Sequence, residues 1–153
     1  MKKIASFTVN HDKLEKGMYV SRIDGDAVTY DIRMKKPNGG DYLANGALHT
    51  FEHLFATYAR NSELTDSVIY VGPMGCRTGF YLILRDSVGY EQAIALVKES
   101  FAFIADFEGK IPGTKREECG NYLEHDLEGA REVARDMCEV LREWTPEKLK
   151  YAE

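Results

Sequence analysis

Met18-Tyr19-Val20-Ser21-Arg22-Ile23-Asp24-Gly25-Asp26-Ala27-Val28-Thr29-Tyr30-Asp31-Ile32-Arg33 reads as a β-hairpin. Two runs rich in β-branched and aromatic residues flank Asp24-Gly25-Asp26, residue types that let a chain reverse tightly. The hairpin is expected over 18–35. Beyond it, Pro37-Asn38-Gly39-Gly40 breaks the pattern, and a helix is expected over about 42–61 with Asp41 as its N-cap. Strand-like clusters follow in 66–72 and 79–85, Val68-Ile69-Tyr70-Val71 and Phe80-Tyr81-Leu82-Ile83-Leu84, joined by Pro73-Met74-Gly75-Cys76-Arg77. A long helix fits 89–107. Residues 109–122, with Pro112, Gly113 and Gly120, read as a loop. A last helix fits 125–143, and Pro146 starts a short terminal turn. The order β-β-α-β-β-α-α predicts an α+β fold, an antiparallel sheet with helices packed on one face.

The chain has 153 residues, the size of a single domain with one good core, so 1–153 is expected to be one domain. Its 44% hydrophobic and 29% charged residues are ordinary for a soluble globular protein. A net charge of −5 argues against a nucleic-acid partner or a membrane surface. No apolar run approaches the roughly 18 residues of a membrane span. Met1-Lys2-Lys3-Ile4-Ala5-Ser6 has two lysines but no apolar run after them, so no signal peptide is read there and the cytoplasm is expected. Three cysteines, an odd number, argue against a disulfide framework.

The chemistry is concentrated in His49-Thr50-Phe51-Glu52-His53. Histidines four residues apart stack on one helix face, and imidazole is the commonest metal-binding side chain. Glu52, beside the same face, is placed to act as a general base. The order H-x-x-E-H inverts the common zinc-peptidase motif. On a helical wheel, Ala44, Leu48, Phe51, Phe55 and Tyr58 form the expected core face. His49, Glu52 and His53 lie to another side, beside Ala56 and Ala59. Glu52 is the one charged side chain between Asp41 and Arg60, and a carboxylate in so apolar a helix is costly unless paired or metal-linked.

A catalytic metal usually takes three protein ligands and leaves one position open. The third donor is open among Cys76, Cys119, Cys138, His11, His125 and carboxylates. Cys138 lies at the edge of the apolar face of the last helix, with Leu127, Ala130, Ala134, Met137 and Leu141, and reads as core. Cys119, in a loop, offers a chemically reasonable His₂Cys set. Cys76 sits in the glycine-rich Gly72-Pro73-Met74-Gly75-Cys76-Arg77-Thr78-Gly79, with Arg77 expected to stabilise a thiolate, and reads as a nucleophile or proton carrier.

Six segments occur in order: Ser6-Phe7-Thr8-Val9-Asn10-His11, Asp31-Ile32-Arg33, Pro37-Asn38, His49-Thr50-Phe51-Glu52-His53-Leu54, Pro73-Met74-Gly75-Cys76-Arg77-Thr78-Gly79-Phe80-Tyr81 and Cys119-Gly120-Asn121-Tyr122. Together they closely resemble the bacterial S-ribosylhomocysteine lyase family, LuxS, whose product is the autoinducer-2 precursor. The resemblance runs from residue 6 to about 135. It implies a four-stranded antiparallel sheet with helices and a homodimer with two active sites at its interface. It implies His49, His53 and Cys119 as ligands of one divalent metal ion per subunit, iron(II) in the cell with zinc or cobalt(II) as alternatives. It implies Glu52 and Cys76 as the acid/base pair, and Ser6, His11 and Arg33 as substrate-binding positions, partly from the opposite subunit. The chain departs from the family pattern at Asn10, where Asp is common, at Lys16-Gly17-Met18-Tyr19, where an Ala-Pro pair is common, and at Met34, where Phe is frequent.

The reaction implied cleaves the thioether of S-ribosylhomocysteine, giving homocysteine and 4,5-dihydroxy-2,3-pentanedione. The sugar carbonyl must migrate from C1 to C3 before β-elimination can expel the sulfur, with a metal as Lewis acid and Cys76 and Glu52 moving protons. Two alternatives use fewer of these residues. An inverse-motif metallopeptidase accounts for H-x-x-E-H but leaves Cys76 idle. A structural metal site is usually closed by four protein ligands, and three are apparent.

Overall fold

The computed structural model describes residues 1–152. Its strands are β1 (Gly17–Asp24), β2 (Ala27–Arg33), β3 (Val68–Pro73) and β4 (Gly79–Arg85), and its helices are α1 (Asn45–Arg60), α2 (Tyr90–Ala105) and α3 (Leu127–Val140). The strands form one antiparallel sheet in the order β1-β2-β4-β3. The fold is therefore α+β, with the four-stranded antiparallel sheet the resemblance implies.

The opening hairpin closes where its sequence predicts. Asp24 pairs with Ala27, and Gly25 adopts a φ of 59°, the left-handed backbone a tight reversal needs. Side chains then alternate along β2. Val28, Tyr30 and Ile32 enter the core beneath the helices. Thr29, Asp31 and Arg33 face the other way. Asp31 and Arg33 are nonetheless only 2% and 3% exposed, so that end of the open face is covered.

Helix α1 carries the histidines, and its start differs from expectation. It begins at Asn45 after Ala44, which offers no side-chain cap. Asp41 instead pairs with Lys35 at 3.0 Å. The helix start is held from the β3–β4 turn: the Leu43 N–H donates to the Arg77 carbonyl at 2.9 Å, and Arg77 Nη1 donates to the Leu43 carbonyl at 3.2 Å. The buried face is also rotated. Ala47, Thr50, Phe51, Leu54, Phe55 and Ala59 are buried, whereas Leu48 and Tyr58 are half-buried and Ala44 is exposed. The reason is that α1 packs against α2, α3 and β3 at once, which widens its apolar stripe beyond a single-sided arc. Phe51 anchors it, with ring centroids 5.2 Å from Phe80 and 5.1 Å from Phe101, the spacing of favourable aromatic pairs. Once Phe51, Leu54 and Phe55 point inward, the helical period turns His49, Glu52 and His53 toward the loops.

The other helices are shorter than expected at both ends. Helix α3 starts at Leu127 because Asp126 caps it, accepting from the Gly129 N–H at 2.9 Å. Its buried residues are Ala130, Ala134 and Met137. Cys138 packs against the core and burial raises its thiol pKa, in keeping with a small hydrophobe.

Candidate functional site

His49 and His53 lie one turn apart on α1 with ring centroids 4.6 Å apart. Each ring is oriented by a backbone carbonyl. His49 Nδ1 is 2.8 Å from the Glu124 carbonyl and His53 Nδ1 is 2.8 Å from the Pro112 carbonyl. A carbonyl only accepts, so each Nδ1 carries the hydrogen and each Nε2 presents its lone pair. Both lone pairs face one atom: Cys119 Sγ lies 3.4 Å from His49 Nε2 and 3.9 Å from His53 Nε2. Two oriented imidazoles and a thiol converging this way suit a first-row divalent cation. A carbonyl behind each histidine is the outer support that metal-binding imidazoles usually have.

The loop that supplies Pro112 approaches very closely. Gly113 has a φ of +75°, and a Cβ there would lie 2.8 Å from His53 Nδ1. Glycine is thus needed twice, for the left-handed backbone and for the space.

The structure adds a fourth donor where three were apparent. His49, His53, Cys119 and His125 each place a ligand atom within 4.8 Å of the others. The His125 ring stacks on His49 at 4.0 Å. Its Nδ1 is 2.9 Å from Thr50 Oγ1, which accepts from the Asp126 N–H at 2.9 Å. The Thr50 hydroxyl keeps both a proton and a lone pair for Nδ1, and the other ring nitrogen of His125 is Nε2. That Nε2 is buried and has no partner among the described residues. Burial, then the neighbouring His49 and His53, lower the His125 pKa, so the ring is neutral near pH 7.

Glu52 is half-buried, and among the described residues no hydrogen bond or ion pair occupies its carboxylate. It faces a cavity of ≈ 420 Å³ shared with His53, Thr57, Tyr70, Val71 and Gly113.

A second group gathers at the covered end of the sheet. Cys76 is exposed in the turn between β3 and β4, which closes through a 2.9 Å bond from the Met74 N–H to the Gly79 carbonyl. Its Sγ is 3.0 Å from Thr78 Oγ1 and 4.0 Å from Arg33 Nη1. Arg77, expected to support this thiol, instead donates to the Leu43 carbonyl; the left-handed backbone at Arg77 goes with a turn that sends its side chain to the start of α1. The cation beside Cys76 is Arg33, delivered by β2. Ser6 and His11 join Arg33 in lining one small cleft. His11 Nδ1 is 2.9 Å from the Val9 carbonyl, so its Nε2 is free to accept.

The eight expected residues therefore fall into two sets. His49, His53 and Cys119 converge, with Glu52 alongside. Ser6, His11, Arg33 and Cys76 form the second set, and none of them lines the cavity in front of Glu52. Sequence reasoning missed Asp31, Thr78 and Tyr151, which hold Arg33 in place. An Asp and an Arg at alternate positions of an apolar strand were the one available signal.

The family profile described as S-Ribosylhomocysteinase (LuxS) matches residues 4–148. The chain belongs to the LuxS family. Curated relatives agree along their full length. The S-ribosylhomocysteine lyase of Phocaeicola vulgatus is 50% identical over 157 residues, covering 99% of this chain and 98% of that protein. The S-ribosylhomocysteine lyase of Porphyromonas gingivalis is 46% identical, covering 99% of each chain. That of Clostridium acetobutylicum is 45% identical, covering 100% of each. Within this LuxS chain the cluster of His49, His53, Cys119 and His125 is where a metal fits. None of its described helices is long and apolar enough to cross a membrane.

Proposed function

We propose that this chain cleaves S-ribosylhomocysteine to homocysteine and 4,5-dihydroxy-2,3-pentanedione, the autoinducer-2 precursor, as one cytoplasmic domain spanning 1–153. The observation that carries the reading is the convergence of two oriented imidazoles and a thiol in a chain that matches the LuxS family over residues 4–148. Free Cys76, Cys119 and Cys138 suit a reducing compartment.

His49, His53 and Cys119 would hold one divalent cation: iron(II), with zinc and cobalt(II) suiting the same donors. The chemistry it supplies when bound is Lewis-acid polarisation of a sugar oxygen. Proton movement falls to the protein. A proton leaves C2 and one is delivered to C1, while the hydroxyl proton passes from the C2 oxygen to the C1 oxygen, which moves the carbonyl to C2. A second such pair at C3 and C2 moves it to C3. Loss of the C4 proton then expels the sulfur from C5, the thiolate takes a proton to become homocysteine, and the C4–C5 enol left behind takes a proton at C5 and gives up its hydroxyl proton to become the dione. Glu52 and Cys76 are the two groups for these transfers. Glu52 suits the role because no described partner competes for its carboxylate. Cys76 suits it because Arg33 stands by to offset a negative charge on sulfur. Ser6, His11 and Arg33 offer the polar contacts that orient the ribose hydroxyls.

The working unit is a homodimer. The exposed apolar side chains Ile4, Phe7 and Tyr70 supply surface for a second copy, and the cavity in front of Glu52 and the cleft lined by Ser6 and His11 have no lining residue in common. Anaerobically purified protein is expected to carry one metal per chain and to release homocysteine from S-ribosylhomocysteine; no release by the metal-loaded protein would overturn the reading. Mixing His11→Ala with Glu52→Gln should restore about a quarter of wild-type activity if each site draws on two subunits, since half the dimers then have one intact site. No restoration would place each site within one chain.

His125 gives one specific observation to a second reading, a closed structural metal site with four protein donors. A cobalt(II) spectrum of the loaded protein that does not respond to added substrate would favour it.

A further inference from the structure

The main hold on Arg33 comes from Asp31, which is not among the eight expected site residues. The Arg33 side chain is buried and forks onto the equally buried side chain of Asp31. Nε donates to Asp31 Oδ1 at 3.1 Å and Nη2 to Oδ2 at 2.7 Å. This two-point fork fixes the guanidinium plane. The remaining nitrogen, Nη1, donates to Thr78 Oγ1 at 2.8 Å and lies 4.0 Å from Cys76 Sγ. Burial works against the charge on Arg33, but the hydrogen bonds and charge of Asp31 outweigh it, with smaller help from Cys76 and Tyr151. The direction of Nη1 is therefore set from the far side, by Asp31.

Asp31 is itself fixed by the C-terminal segment. Tyr151 donates its hydroxyl to Asp31 Oδ2 at 2.6 Å, the oxygen that Arg33 Nη2 also uses. The segment is pinned to β1 at several points. Trp144 Nε1 donates to the Met18 carbonyl at 2.9 Å. The Trp144 ring occupies the space over Gly17, where a Cβ would fall 2.3 Å from it. Leu149 is buried in the core. Tyr151 stacks on Tyr19 with centroids 5.2 Å apart. Its phenol thus arrives with little freedom, and it lines the same small cleft as Ser6, His11 and Arg33.

We propose that Tyr151 is a positioning residue for the proton-transfer step: by holding Asp31 it orients Arg33 toward Cys76. The proposal rests on the reading of Cys76 as a proton carrier. Its physics has a definite sign. Without the phenol hydrogen bond, Asp31 loses one of two donors on Oδ2 and draws more strongly on Arg33. Arg33 then offers less to the sulfur.

The test is Tyr151→Phe, which keeps the stack on Tyr19 and removes only the hydroxyl. Alkylation of Cys76 by iodoacetamide at fixed pH, followed by peptide mass, reads the thiolate directly; substrate must reach Cys76, so this small reagent also does. Labelling is expected to slow roughly three- to tenfold, and kcat to fall by a similar factor, the size expected of one lost hydrogen bond. Metal content should not change. A merely structural role predicts the opposite for labelling, because a loosened turn exposes the thiol and speeds it. A second comparison covers a poorly folded variant: adding Tyr151→Phe to Asp31→Asn should change neither rate further, since the phenol acts through that carboxylate. Wild-type labelling and turnover in Tyr151→Phe, or full additivity with Asp31→Asn, would overturn the proposal. Failure of the wild type to release homocysteine would instead overturn the proposed function and leave the labelling result to be read alone.

Discussion

The two halves of the site are built by different means. The metal half stands on helix α1 and on two loops far along the chain. Its rings are oriented by main-chain carbonyls, Glu124 behind His49 and Pro112 behind His53. The sheet half stands on β2 and the β3–β4 turn, and its orientation comes from side chains: Tyr151 on Asp31, Asp31 on Arg33, Arg33 on Thr78. A carbonyl acceptor fixes a histidine tautomer, which suits a group that must present a lone pair. A chain of charged and hydroxyl groups sets the charge around a sulfur, which suits the proton carrier proposed at Cys76. The halves should therefore fail differently: damage to the first removes metal, and damage to the second leaves metal in place.

Cys119→Ala is the harshest test. It is expected to lose metal on dialysis and all homocysteine release, read by metal analysis and a free-thiol assay. A full metal complement would take Cys119 out of the ligand set and dissolve the contrast. Glu52→Gln should keep its metal while turnover falls by about 10²–10⁴, the usual worth of a general acid or base. Wild-type-like turnover would move proton transfer elsewhere. Gly113→Ala forces a Cβ against His53 and disturbs the Pro112 carbonyl. Metal affinity should weaken by roughly 10- to 100-fold, the cost of losing an outer-sphere partner, measured by competition with a chelator. Thr78→Val removes the hydroxyl between Arg33 and Cys76. Turnover should drop by about fivefold, one hydrogen bond's worth, with metal content unchanged. If Thr78→Val also lost metal, the halves would be mechanically coupled and the contrast would need redrawing.

Much of this was legible along the chain. The β2 alternation and the Asp24-Gly25-Asp26 reversal mark the hairpin because strand period and turn chemistry are local. His49 and His53 are readable as a pair because helix geometry alone brings positions four apart together. The extent of the buried face of α1 was not readable: an arc drawn from one helix assumes one packing partner, and α1 packs against α2, α3 and β3 together. Adjacency alone points Arg77 at Cys76, whereas the turn sends it to Leu43. The cation that does reach the thiol, Arg33, lies 43 positions earlier in the chain and arrives through pairing of β2 with β4.

By itself the sequence determined the strand and helix order, the histidine pair and, through its likeness to LuxS, the eight residues expected in the site. These follow from local periodicity and from residue types in order. Only the tertiary structure decided which atoms meet. It closed Cys119 onto the two Nε2 lone pairs, set His125 behind them, and brought Tyr151 to Asp31 across 120 positions. Contacts of that separation depend on how loops return across a sheet and on which carbonyl lies behind each ring, and neither leaves a local pattern to read.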